Sequence, residues 1–88
     1  MKRNPNFLMR EVAGKQVVVP VGAASVEFAG MINLNAVGSF LWQLLETEQT
    51  VDSLTAALTA RYEVEDQIAR ADVEAFLESL AKVGAIVE

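Results

Sequence analysis

The pattern of apolar and polar positions divides the chain into a first third typical of β-strands and a helical remainder. Two runs rich in apolar and β-branched residues, at 7–12 and 16–21, predict two strands. Ala13 and Gly14 lie between these runs and predict a hairpin turn, because glycine tolerates positive φ at no steric cost. A weaker apolar run at 27–33 predicts a third strand, with Gly30 inside it.

Beyond the third strand the apolar spacing becomes helical. From Phe40, apolar residues recur at i, i+1, i+4 and i+5, which predicts a first helix over 36–46. Asn35 precedes this helix, and its side chain is typical of an N-cap. The predicted buried face consists of Phe40, Leu41, Leu44 and Leu45.

Two further helices are predicted in the second half. Thr50 is expected to cap the second helix, and Gly84 is expected to end a third helix over 67–83. Each helix has an apolar stripe at helical spacing. The stripe residues are Val51, Leu54 and Leu58 on the second helix, and Val73, Phe76, Leu77 and Leu80 on the third.

The element order βββααα predicts an α+β fold of the winged helix-turn-helix-like kind. A three-stranded antiparallel sheet comes first, and the last two of the three following helices form the helix-turn-helix pair. The length of 88 residues predicts one domain over 1–88. Residues 1–6, which are mostly polar and contain Pro5, are expected to form a flexible lead-in.

Composition excludes several classes of chemistry. The chain contains neither cysteine nor histidine, so disulfides, thiolate metal sites and histidine-based catalysis are ruled out. No apolar run approaches the roughly 18 residues needed to span a bilayer. Lys2 and Arg3 are not followed by the apolar region of a signal peptide, because residues 4–6 intervene. We therefore expect a cytoplasmic protein without a cofactor, a metal or catalytic residues.

Charge is distributed unevenly along the chain. The net charge is −5, yet four of the seven basic residues lie among the first fifteen positions. The acidic remainder repels phosphate, which argues against nucleic-acid binding. Acidic residues of the third helix do not form a metal site, because no histidine or cysteine accompanies them and Asp72 lies well round the helix from Glu74 and Glu78.

Four segments in order resemble the PqqD-like family, the small proteins similar to the D component of pyrroloquinoline quinone biosynthesis. The resemblance covers nearly the whole chain, from about Asn4 to Val87. Ala36 departs from the family pattern, which more often has an acidic residue there. The four segments are 10–15 with 19–22, 34–45 (LNAVGSFLWQLL), 50–54 through 61–64, and 72–80 with 83–86.

The resemblance implies a non-catalytic peptide chaperone, also called a RiPP recognition element. Such domains bind the leader segment of a ribosomally made precursor peptide and present it to a modifying enzyme, frequently a radical S-adenosylmethionine enzyme. The leader adds as an extra strand to the third strand, in a groove beside the third helix. On the strand, the peptide-binding residues expected from the resemblance are Glu27, Phe28, Ala29, Gly30, Met31 and Ile32. On the helix, the positions expected to line the groove are Asp72, Phe76, Ser79 and Val83.

The helical wheel of the third helix is compatible with such a groove. At about 100° per residue, Phe76 and Val83 lie to one side of the core positions, with Asp72 and Ser79 just beyond. An acidic rim would suit a leader with lysine or arginine near its apolar anchors. The alternative interpretation is that Phe76, Phe28 and Ile32 belong to the core and that Gly30 marks a bulge.

Two other functions remain open at this point. A winged helix can bind DNA through its third helix, although acidic residues at 66, 72, 74 and 78 disfavour that function here. The chain could also be a structural subunit whose helices dimerise. An exposed sheet edge allows self-pairing, so we expect a monomer or a weak homodimer.

Overall fold

The computed structural model describes residues 1–22 and 30–87. Within these ranges, a three-stranded antiparallel sheet is followed by three helices, which confirms the α+β fold. No helix in the described ranges is both long enough and apolar enough to cross a membrane. The elements are β1 (Lys2–Arg3), β2 (Phe7–Val12), β3 (Lys15–Pro20), β4 (Ile32–Leu34), α1 (Ala36–Leu44), α2 (Val51–Arg61), α3 (Asp66–Lys82) and β5 (Ile86–Val87).

The sheet has the order β2-β3-β4, and a tight hairpin joins its first two strands. The two turn residues, Ala13 and Gly14, have φ of 53° and 79°. Positive φ at both central residues is what a type I′ turn requires, and this turn matches the right-handed twist of the strands it joins. The predicted hairpin is therefore confirmed.

The third strand of the sheet is shorter than predicted. The strand expected over 27–33 is observed at Ile32–Leu34, and Gly30 and Met31 precede it. Gly30 is therefore not a glycine inside a strand. The expected strand residues Glu27, Phe28 and Ala29 lie outside the described residues.

Side-chain caps fix where α1 and α2 begin, as the sequence predicts. The Asn35 Oδ1 accepts a hydrogen bond from the Gly38 N–H at 2.7 Å, which satisfies one backbone donor at the start of α1. Thr50 and Ser53 form a capping box at the start of α2. After α3, Gly84 has φ of 76°, and the Ala85 N–H donates to the Leu80 carbonyl at 2.9 Å. This is the Schellman pattern, and it directs the chain into β5.

The core lies between the inner face of the sheet and the three helices. Trp42 is only 1% exposed, although the predicted buried face of α1 did not include it, and Phe40 and Leu44 are half-buried. The buried face of α1 is therefore wider than predicted and includes Trp42, because the helix is covered on more than one side. The buried core residues are Phe7, Val18, Leu41, Trp42, Leu45, Leu54, Leu58, Ala69, Val73, Leu77, Leu80 and Ala85.

The N-terminal segment differs from the expected flexible lead-in. Lys2 and Arg3 form β1, which pairs antiparallel with β5. The Arg3 N–H donates to the Leu45 carbonyl at 2.9 Å, and the Asn4 side chain donates to the Gly84 carbonyl at 2.9 Å. The two chain ends are therefore fastened to each other and to the end of α1.

Candidate functional site

A groove lies where β4, the start of α1 and the middle of α3 meet. It consists of two adjoining pockets with volumes of about 230 and 380 Å³. Asn35, Gly38 and Phe76 line both pockets, so the pockets meet at these three residues. The smaller pocket, here called the helix pocket, is also lined by Val37, Leu41, Asp72 and Ala75, and the larger one, the strand pocket, by Asn33 and Leu34.

Gly38 allows the close approach of α1 and α3 at the floor of this groove. A Cβ atom at this position would lie 3.3 Å from Phe76 Cε1 and 3.4 Å from Leu34 Cδ2. The distance to Phe76 is tighter than an ordinary carbon contact, and the distance to Leu34 is at the short end of the ordinary range. The missing side chain therefore lets the Phe76 ring sit directly against the first turn of α1.

Phe76 serves both the core and the groove. Its side chain is half-buried and packs against the core cluster, and it also lines both pockets. The two interpretations of Phe76 are therefore compatible in the structure. Asp72, one turn earlier on α3, is exposed and lines the helix pocket. The sequence predicts Asp72 as part of an acidic rim beside Phe76.

The other two helix positions lie farther along α3. Ser79 is exposed, and its hydroxyl donates to the Phe76 carbonyl at 2.7 Å. Val83 is half-buried at the C-cap and packs against the core. Neither residue lines the two pockets of the groove. Asp72 and Phe76 are thus brought together in the groove, whereas Ser79 and Val83 are not.

The strand side of the groove has a short edge. Within the described residues, β4 pairs with β3 alone, through a register that places Ile32 opposite Val18 and Asn33 opposite Val17. Ile32 is half-buried and packs against the core, and Asn33 is exposed. Gly30 and Met31 are exposed just before the strand. One side of β4 therefore remains without a strand partner in the described ranges.

The basic side chains of α3 are engaged with acidic neighbours. Arg70 Nη2 lies 2.6 Å from Asp52 Oδ1, and the hydrogen bond to Asp52 raises the pKa of Arg70. Lys82 Nζ lies 3.6 Å from Glu78 Oε1. A helix that reads DNA should present net positive charge to the phosphates, so the acidic neighbours of these two cations disfavour the DNA-binding alternative.

Several groove residues were not among the sequence-based candidates. The sequence predicts Asn35 only as an N-cap and Gly38 only as a residue of the first helix. The signal that could have identified Gly38 is a glycine inside a helical pattern, which costs about 1 kcal/mol relative to alanine and therefore indicates a packing reason. No comparable feature of the sequence marks the other groove residues, which are Asn33, Leu34, Val37, Leu41 and Ala75.

The site contains no arrangement that would hold a metal ion. Among residues 1–22 and 30–87, no group of three or more aspartate or glutamate side chains is placed to bind one. The groove is lined by apolar side chains, two asparagines and a single carboxylate. This composition suits the binding of a peptide segment better than acid–base chemistry.

Comparison with known proteins identifies the family. The family model described as coenzyme PQQ synthesis protein D (PqqD) matches residues 16–86, which is most of the chain. The chain belongs to the PqqD family. The family resemblance stated from the sequence is therefore confirmed, and the groove of this PqqD-family domain lies within the matched residues.

A solved structure has the same fold as this PqqD-family chain. It is TbiB1 in complex with the TbiA(beta) leader peptide, which superposes with a TM-score of 0.73 at 26% sequence identity. The match covers 93% of this chain and 90% of that chain. A search of curated proteins gave no match.

Proposed function

We propose that this PqqD-family domain is a non-catalytic adaptor that binds the leader segment of a ribosomally made precursor peptide. In this proposal, the leader adds as a strand to β4 and lays side chains into the groove beside α3. The domain then presents the peptide to a modifying enzyme, which in this proposal is a radical S-adenosylmethionine enzyme. Strand addition supplies affinity through main-chain hydrogen bonds, and side-chain pockets supply specificity.

The observation that carries the proposal is the juxtaposition of β4 with the two pockets. β4 lies at the end of the described sheet, and Asn33 and Leu34 of this strand line the strand pocket. A peptide strand paired with β4 would therefore place alternate side chains over the groove. The binding of a leader peptide by TbiB1, which has the same fold, supports this occupant.

Some of the proposed binding residues lie in or beside the groove, and others rest on the family resemblance. Asp72 and Phe76 line the groove, and Ile32 belongs to β4. Gly30 and Met31 are exposed next to that strand, and Ser79 and Val83 continue the same flank of α3. Glu27, Phe28 and Ala29 are included on the family resemblance alone.

An NMR titration tests the proposal directly. Labelled protein is titrated with the N-terminal part of a short peptide encoded beside its gene. We expect shifts concentrated on the backbone of residues 30–35 and on the Asp72–Phe76 flank of α3. Shifts confined to α2, or no shifts with any neighbouring peptide, would overturn the assignment of this groove.

Strand addition has a more specific signature than binding alone. N-methylation removes one backbone donor at a time from the leader, without changing the protein. Because alternate residues of an added strand face the sheet edge, affinity should fall at every second position. A helix-like period of three to four residues would show that the leader occupies the groove as a helix instead.

A further inference from the structure

Asp72 is a carboxylate without an ion-pair partner at the mouth of the helix pocket. Among the described residues, the ion pairs of α3 join Arg70 to Asp52 and Lys82 to Glu78, and none includes Asp72. Asp72 is exposed, so water can reach its carboxylate as long as the pocket is open. The positive charge nearest in sequence, on Arg70, is already held by Asp52.

The remaining walls of the helix pocket are mostly apolar. Val37, Leu41, Ala75 and Phe76 surround a volume of about 230 Å³, and Asn35 and Gly38 complete the lining. A purely apolar side chain that filled this pocket would displace the water on the pocket side of Asp72 without replacing its hydrogen bonds, which is unfavourable. An acidic side chain would be repelled. Lysine and arginine instead combine an aliphatic stem with a cationic head.

We propose that the helix pocket selects a lysine or arginine side chain of the leader peptide, whose stem packs on Phe76 and whose head pairs with Asp72. This inference rests on the proposed function, since it names what one pocket of the same groove takes. The cation can also contact the face of the Phe76 ring, a favourable arrangement for lysine and arginine. Asp72 is then a specificity residue, whereas the backbone of β4 supplies the sequence-independent part of the affinity.

Neutralisation of Asp72 tests this assignment against a matched control. Asp72→Asn keeps the size of the side chain, and Glu74→Gln removes the same charge from another exposed position of α3. Affinity for the leader is measured by isothermal titration calorimetry at low salt. We expect Asp72→Asn to weaken binding about three- to tenfold, within the range of a partly exposed charged pair, and Glu74→Gln to change it less than about twofold.

A double-mutant cycle identifies the partner of Asp72. Each lysine and arginine of the leader is replaced in turn by methionine, which keeps an unbranched apolar stem. One replacement should weaken binding to the unaltered protein and have little further effect in the Asp72→Asn variant. Equal losses in both proteins for every replacement would overturn the pairing, and so would tight binding of a leader without lysine or arginine.

These experiments distinguish the cation selectivity of the helix pocket from leader binding itself. If the leader shows no binding to the unaltered protein, the adaptor function is wrong and the inference falls with it. If the leader binds and the N-methyl pattern has period two, but Asp72→Asn matches Glu74→Gln, only the cation selectivity is overturned. Circular dichroism of both variants verifies that the helices are intact.

Discussion

Gly38 is the residue on which the shape of the groove depends most directly. It is the third residue of α1, its N–H is capped by Asn35, and both pockets meet beside it. A helical glycine costs about 1 kcal/mol relative to alanine. The close contact that Phe76 makes with this position is a structural reason to keep glycine there.

Replacement of Gly38 should therefore separate stability from binding. In Gly38→Ala, the gain in helix propensity offsets the crowding of Phe76, so the free energy of unfolding should stay within about 1 kcal/mol of the original. The displaced ring and the added methyl group should weaken leader binding by about 1 kcal/mol, or roughly fivefold. Urea denaturation and calorimetric titration measure the two quantities.

Ser39→Ala is the matched control for this substitution. Ser39 is the next residue of α1, lines neither pocket of the groove, and has a buried hydroxyl without a hydrogen-bond partner in the described ranges. Its removal should leave leader affinity unchanged. If Gly38→Ala binds the leader as tightly as Ser39→Ala does, then the floor of the groove does not contact the peptide.

Among the elements, the features determined by local chemistry were predictable from the sequence, whereas the pairing of the two chain ends was not. The caps at Asn35 and Thr50 act within three residues, so the starts of α1 and α2 follow from the sequence. β1 and β5 have two residues each and pair across the whole chain, so neither has a detectable period. The groove itself depends on Gly38 and Phe76, which are far apart in sequence.

The pairing of the chain ends leads to a prediction for Asn4. Its side chain donates to the Gly84 carbonyl at 2.9 Å and accepts from the Asn6 N–H at 2.9 Å. Asn4→Ala removes both bonds and should lower the free energy of unfolding by about 1–2 kcal/mol, since each bond contributes roughly 0.5–1.5 kcal/mol. Denaturant titration measures the loss.

Gln67→Ala provides the comparison, because Gln67 is exposed on the first turn of α3 and forms no side-chain hydrogen bond in the described ranges. It should change stability by less than about 0.5 kcal/mol. Equal effects of the two substitutions would mean that the N-terminal segment is the flexible lead-in that its polar sequence predicts. Leader affinity should not change in either variant, since Asn4 lies outside the groove.

At the scale of the whole molecule, the sheet and the helices jointly form the binding site, so binding and folding are linked. β4, α1 and α3 each line the groove, and the unfolded chain has no groove. A ligand that binds only the folded state at 100 times its dissociation constant stabilises that state by about 2.7 kcal/mol. A domain of this size gains roughly 4–8 °C in Tm for each kcal/mol.

The leader should therefore raise the Tm of the protein by about 10 °C or more at that concentration. A scrambled peptide of the same composition has the same charge but the wrong order of side chains, so it should produce a much smaller shift. Differential scanning calorimetry measures the Tm with and without the leader, at two protein concentrations. A Tm that rises with protein concentration but does not change with the leader would indicate stabilisation by self-association. The structural-subunit function would then replace the adaptor function.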